Sequence, residues 1–188
     1  FLGVLGANLV IVGSWFYSFA INGIDNIAVN TAGFLAPLSI NFYVGYTELL
    51  VLIGVNLIAF FTAIFLGENF QDESISSMIL YLMVIMGVNG LILTRDLFNA
   101  FVFMEIVSIS TIAIITLGRR KNSLSSGFKY MLASGIASIF FLLGLVFVYF
   151  FSGALNLDFI NYHFMGYELI AVYMIAIDLL IELKSFPS

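Results

Sequence analysis

Two charged residues stand inside apolar stretches of the chain. Glu105 lies in DLFNAFVFMEIVSIS (96–110), and Lys129 lies near the start of FKYMLASGIASIFFLLGLVFVYF (128–150). A single charge at the centre of a membrane-spanning helix costs about 2.5 to 3.5 kcal/mol on insertion scales, so such groups mark ion pathways more often than they mark packing. Glu105 follows Asp96 by nine residues, which places it about 13 Å into its helix at 1.5 Å per residue. Lys129 follows Lys121 by eight residues and descends at most about 12 Å from the other surface. An acid and a base reaching similar depth from opposite ends of adjacent helices are expected to pair or to share water. Desolvation and a neighbouring ammonium act in opposite directions on a carboxylate's hold on its proton, which is the adjustability a proton relay needs. The alternative is a static ion pair that holds two helices together.

A second cluster closes the chain. Asp178, Glu182 and Lys184 fall within seven residues, followed by Pro187. Asp178 and Glu182 are four apart and share a helix face. Pro187 disfavours helix just before it, so the helix is expected to break there. A break in a membrane helix is tolerated where protein or a water-filled cavity satisfies the freed carbonyls. The cluster is therefore a candidate ion passage, with Lys184 equally readable as a snorkelling headgroup contact.

Arg95 and Asp96, at a tight turn, read as interfacial anchors, with an ion entrance as the alternative. Glu48 marks a helix start. His163, among aromatic and amide residues, reads as a surface group in preference to a proton carrier. Ser134, Gly135 and Ser138 form a small-residue stripe that permits close helix contact. Ser108, Ser110 and Thr111 could hydrate the surroundings of Glu105, although back-bonding to the helix is commoner. The sequence holds no phosphate loop, nucleophile triad or metal-ligand spacing, and no cofactor is expected.

The elements that must position these groups are membrane helices. Of the 188 residues 62% are hydrophobic and 9% charged, and mean hydropathy is +1.14, far from the roughly quarter-charged make-up of soluble domains. Six apolar runs are long enough to cross a hydrocarbon core of about 30 Å. They cover about 1–21, 48–66, 77–93, 96–117, 127–151 and 167–184. The runs are continuously apolar instead of alternating, so helices and not a barrel are predicted. The expected architecture is an all-α, polytopic transmembrane bundle forming a single domain over 1–188. Residues 22–46 carry Gly33, Pro37 and Gly45 around two β-prone pieces, which predicts a short external hairpin between the first two spans. The basic loop Gly118-Arg119-Arg120-Lys121-Asn122 places that side in the cytoplasm. Net charge is −5 with no cysteine, which excludes thiolate metal sites and argues against nucleic acid. The chain starts with Phe in mid-helix, and is expected to be a fragment of a longer subunit.

LTRDLFNAFVFMEI, GFKYMLASGIASIFFLLG and VYFFSGALNL resemble, in order and spacing, the antiporter-like membrane subunits shared by Mrp-type sodium/proton antiporters, membrane-bound hydrogenases and respiratory complex I. GFLAPLSINFYV is similar to that family's external segment between its second and third helices. The nearest flavour is the D-type antiporter subunit or its hydrogenase counterpart. On this resemblance the chain covers about the second to the seventh helix, of about fourteen. The resemblance implies that Glu105 is the fifth-helix glutamate that pairs with a lysine and that Lys129 is the sixth-helix lysine on the proton path. It also implies partner membrane subunits, transport of protons with or without sodium, and a prokaryotic plasma membrane. Any redox chemistry would belong to the assembly, since the chain itself holds no redox or catalytic site. The seventh helix departs from the pattern. The family's lysine stands five residues before the proline of a Phe-Pro or Leu-Pro pair. Here Glu182 takes that position, Lys184 stands three before Pro187, and Asp178 replaces a normally uncharged residue. A structural subunit that has lost transport is the rival reading.

Overall fold

The computed structural model describes residues 1–34, 39–65, 75–117, 123–160 and 169–185, with residues 32, 123 and 182–185 described by their backbone alone. Among the described residues six α-helices follow one another: α1 (Leu2–Asn22), α2 (Tyr46–Phe65), α3 (Ile75–Leu93), α4 (Leu97–Leu117), α5 (Ser123–Ser152) and α6 (Leu169–Ser185). Among the described residues, α1 to α5 are long and apolar enough to cross a membrane, and α6 is a shorter apolar helix. Large side chains such as Val10, Phe65 and Phe150 point outward and exposed, as lipid-facing residues must. The all-α bundle and its span boundaries agree with the sequence reading. The break expected at Pro187 lies outside the described residues.

The predicted hairpin is present. Strand β1 (Asn26–Asn30) pairs antiparallel with β2 (Asn41–Gly45), in a register running from Asn26 opposite Gly45 to Asn30 opposite Asn41. Gly23 takes φ 61° directly after α1, a left-handed position that suits a residue without Cβ and ends the helix.

The hairpin is tied to the helix ends on its own side of the bundle. Arg95 N–H donates to the Asn41 carbonyl at 3.2 Å, Leu97 N–H to Leu155 at 2.9 Å, and Leu157 N–H to Arg95 at 2.8 Å. The Asn156 amide donates to Asn41 Oδ1 at 2.6 Å. The α3–α4 turn, β2 and the chain after α5 therefore form one hydrogen-bonded cap. Beneath it, Val12, Phe19, Val44, Leu49 and Leu52 pack α1, α2 and β2 together. On the other flank, Val148, Ile160 and Ala171 join α5, α6 and the segment between them.

Close approach of helices rests on glycine. A Cβ at Gly87 would sit 2.6 Å from a Val107 methyl, and one at Gly90 would overlap the Phe103 ring, so α3 lies directly on α4. A Cβ at Gly144 would fall 2.7 Å from Ile175 and 3.1 Å from the Ala171 carbonyl, which fixes α5 against α6. Gly135, in the expected small-residue stripe, faces open space. Its serine neighbours carry the contact instead.

Candidate ion-translocation site

The relative depth of the charged residues follows from how α4, α5 and α6 pair. On the α4–α5 contact, Phe101 stacks on Phe141, Ser108 Oγ lies 2.7 Å from Ser134 Oγ, and Thr116 meets Gly127. These pairs define one antiparallel register, and in it Glu105 stands level with Ser138. The side chains meet as that register requires: the Ser138 hydroxyl donates to Glu105 Oε1. The α5–α6 pairing of Gly144 with Ala171 and Ile175, carried down two turns, brings Asp178 to the same level. Glu105, Ser138 and Asp178 thus form one layer across three consecutive helices.

Within that layer the two carboxyl groups differ. Glu105 is half-buried and hydrogen-bonded. Asp178 is only 2% exposed, and its Oδ2 has no hydrogen-bond partner among the described residues. Ser138 has one hydroxyl hydrogen and two acceptors, Glu105 Oε1 and the Ser134 carbonyl at 2.9 Å. Thr111 bonds back to Val107 at 2.7 Å, as expected, and Ser110 is buried. Ser108 reaches across to α5 instead of hydrating Glu105.

The structure does not bring Lys129 to Glu105. In the α4–α5 register Lys129 stands level with Ala113 and Ile114, nine residues below Glu105 and about 13 Å along the axis. Its side chain is exposed. Among the described residues the ion pair is Arg95 with Glu48, at 3.3 Å. The backbones of Glu182 and Lys184 continue α6 beyond Asp178, which puts Lys184 near the level of Ser134 in the α5–α6 register. His163 lies outside the described residues.

Arg95 and Asp96 are held by structural partners. Arg95 stacks over the Tyr43 ring at 4.3 Å while pairing with Glu48. Asp96 Oδ1 accepts from the Asn99 N–H at 2.9 Å, capping the first turn of α4. Glu48, the expected helix start, accepts from the Gly45 N–H at 3.1 Å, reaching back over the first turn of α2 as an N3 glutamate does.

Three asparagines extend the polar layer through the other helices. Asn8 of α1 donates to Asn56 Oδ1 at 2.7 Å, and Asn56 exchanges amide hydrogen bonds with Asn89 at 3.0 and 3.2 Å. Asn56 is 1% exposed. Gly87 and Gly90 against Phe103 and Val107 place Asn89 close to the level of Glu105. Among the described residues, each of α1 to α6 therefore supplies at least one polar side chain near this level. The sequence reading missed the asparagines although a signal existed: GAN, GVN and GVN recur at residues 6–8, 54–56 and 87–89.

Residues 94–184 match the family described as NADH:quinone oxidoreductase/Mrp antiporter, transmembrane. The D-type Na(+)/H(+) antiporter subunit of Alkalihalophilus pseudofirmus is 42% identical over 77 residues, 41% of this chain and 16% of that protein. A chain of the archaeal membrane-bound sulfane sulfur reductase, a respiratory membrane complex, superposes with a TM-score of 0.75 at 26% identity, over 98% of this chain and 37% of its own length. A chain of the Mrp complex from a Dietzia species gives a TM-score of 0.80 at 21% identity, over 95% of this chain and 34% of its own, and shows the shared fold. The chain thus spans a sixth to about a third of the proteins it matches. Residues 94–184, which carry Glu105, Lys129, Asp178, Glu182 and Lys184, belong to the membrane-spanning NADH:quinone oxidoreductase/Mrp antiporter family.

Proposed function

We propose that this chain is part of an ion-translocating subunit that moves protons, or exchanges them for sodium, across a prokaryotic plasma membrane within a multisubunit complex. The observation that carries the reading is the placement of Glu105. A carboxylate about 13 Å deep in α4 is supported by a hydroxyl donor from α5 and stands at the level of a second, buried carboxyl from α6. Static packing of three helices requires neither acid, and each carries a desolvation cost that apolar residues would avoid. Glu105 is the gate, Asp178 its neighbour on the path, and Glu182 and Lys184 line the continuation along α6. Lys129 serves as a relay nearer the basic end of α5, acting through water and not by direct contact. Drive and direction come from partner subunits, and any electron chemistry is theirs.

The rival is a structural subunit that has kept the fold without transport, and the separation of Lys129 from Glu105 favours it. Flux through the assembled complex in liposomes separates the two. Glu105→Gln abolishes coupled proton movement if the gate reading holds, and leaves it unchanged if the role is structural.

A further inference from the structure

One face of α4 makes a contact at each successive turn, and Glu105 lies within the series. The Leu97 N–H donates to the Leu155 carbonyl at 2.9 Å, Phe101 stacks on Phe141 with ring centroids 5.5 Å apart, Glu105 accepts from Ser138, and Ser108 lies 2.7 Å from Ser134. Residues three and four apart share a helix face, so the four contacts form one line. A slip of one residue moves a helix by about 1.5 Å, enough to stretch the Ser138 bond to the acid beyond hydrogen-bond range. Apolar surface gives helices little axial hold on one another in lipid, and Gly135, next to Ser134, faces open space. The first contact of the line lies in the cap.

The cap holds α4 and α5 axially. In their register Leu97 is level with Leu145, so α5 continues about seven residues past the start of α4, roughly 10 Å. Gly153, at φ 71°, then reverses the chain, and residues 154–157 return along the end of α4 as a strap. Asp96 stands opposite Asn156 and Thr94 opposite Phe42, both antiparallel, so β2, the α3–α4 turn and the strap lie side by side. Main-chain bonds alone do not select a register, because neighbouring registers offer the same groups. The side chain of Asn156 does select one. It donates to Asn41 Oδ1 at 2.6 Å, with the two residues 1% and 6% exposed, and its Oδ1 accepts from the Asp158 N–H at 3.0 Å. A shift of one residue along such a pairing turns each side chain to the other face and leaves a buried amide without its partner.

We infer that Asn156 is a positioning residue for Glu105: locked to Asn41, it fixes the strap on the α4 start and so holds the register in which Ser138 reaches the acid. The consequence for transport rests on the reading of Glu105 as gate, whereas the register itself does not.

The test uses the full-length subunit in its purified complex, cleared of other cysteines. Ser108→Cys with Ser134→Cys, at positions whose hydroxyls lie 2.7 Å apart, reports the register as a disulfide formed under mild oxidation. The native cap is expected to give rapid cross-linking, and Asn156→Leu to slow it about fivefold or more. If N156L does not assemble, Asn41→Ala takes its place, since it removes the side-chain acceptor and leaves the main-chain bond from Arg95. In proton flux, N156L is expected to lose activity on its own and to add no further loss in a Ser138→Ala background, because both act through one contact. Cross-linking at the native rate, or a flux loss that adds to that of S138A, overturns the inference, as does native flux in N156L beside an inactive Glu105→Gln. Slower cross-linking with native flux in both N156L and E105Q keeps Asn156 as the register lock and removes only the gate.

Discussion

At the scale of single residues, the candidate site consists of polar groups that persist in an apolar environment. Glu105 and Asp178 were both legible in the sequence for that reason, because any carboxylate in a run such as FVFMEIVSI stands out against its neighbours. The proposed contact between Glu105 and Lys129 was not legible correctly. Depth counted from each surface treats neighbouring helices as equally long and evenly placed, whereas α5 has 30 residues and pairs with α4 through Gly127 on Thr116, which carries Lys129 below the acid. On the proposed reading, Ser138 is the residue whose hydroxyl bears most directly on Glu105. A hydrogen bond to a charged group contributes about 1.5 to 3 kcal/mol, so Ser138→Ala should slow proton flux about tenfold or more in proteoliposomes. Ser138→Thr, which keeps the hydroxyl, should restore most of it. Arg95 belongs to a different class. Its pair with Glu48 is partly exposed, so Arg95→Ala should cost about 1 kcal/mol or less in thermal unfolding and leave flux near the native level.

At the scale of elements, the helix boundaries followed from span length and the hairpin from its glycines and β-prone pieces, and both were readable before any coordinates. Contacts between helices were not, because a glycine announces close packing without naming the surface it packs on. Gly135 was expected to be a contact and is open, while Gly87, Gly90 and Gly144 are the contacts in fact. Gly144→Leu should drive α6 away from α5, against the Ala171 carbonyl and Ile175. Overpacking of this kind typically costs about 1 to 3 kcal/mol, measurable as a lower thermal midpoint in detergent. The asparagine contacts bind α1, α2 and α3 in a setting where apolar side chains gain nothing by leaving lipid. Interhelical hydrogen bonds in membranes contribute about 0.6 to 2 kcal/mol each. Asn56→Leu removes the central member and should lower stability by a few kcal/mol at most, with unfolding followed by the fluorescence of Trp15 on α1.

At the scale of the whole molecule, one polar layer crosses six helices at mid-depth, and one face of the bundle is closed by a hydrogen-bonded cap. Orientation follows from the basic loop at 118–122 and the positive-inside rule. The sequence has no cysteine, so single substitutions report sidedness directly. Ala28→Cys on the exposed strand β1 should react with an impermeant maleimide from outside the cell, and Ser125→Cys, exposed at the start of α5, only after the membrane is opened. The reverse pattern would invert the direction assigned to the path. The family's partners, ions and electron chemistry are properties of assemblies, and the 188 residues cover about a third or less of each matched chain. The backbone of α6 continues past Asp178 through Glu182 and Lys184.

The most direct measurement is proton flux through the reconstituted complex with native, Glu105→Gln and Glu105→Asp forms compared at equal protein and equal driving force. The gate reading expects E105Q to be inactive and E105D to retain partial flux, since a shorter carboxylate still titrates but meets Ser138 less well. Native flux in E105Q, with assembly intact, would contradict it.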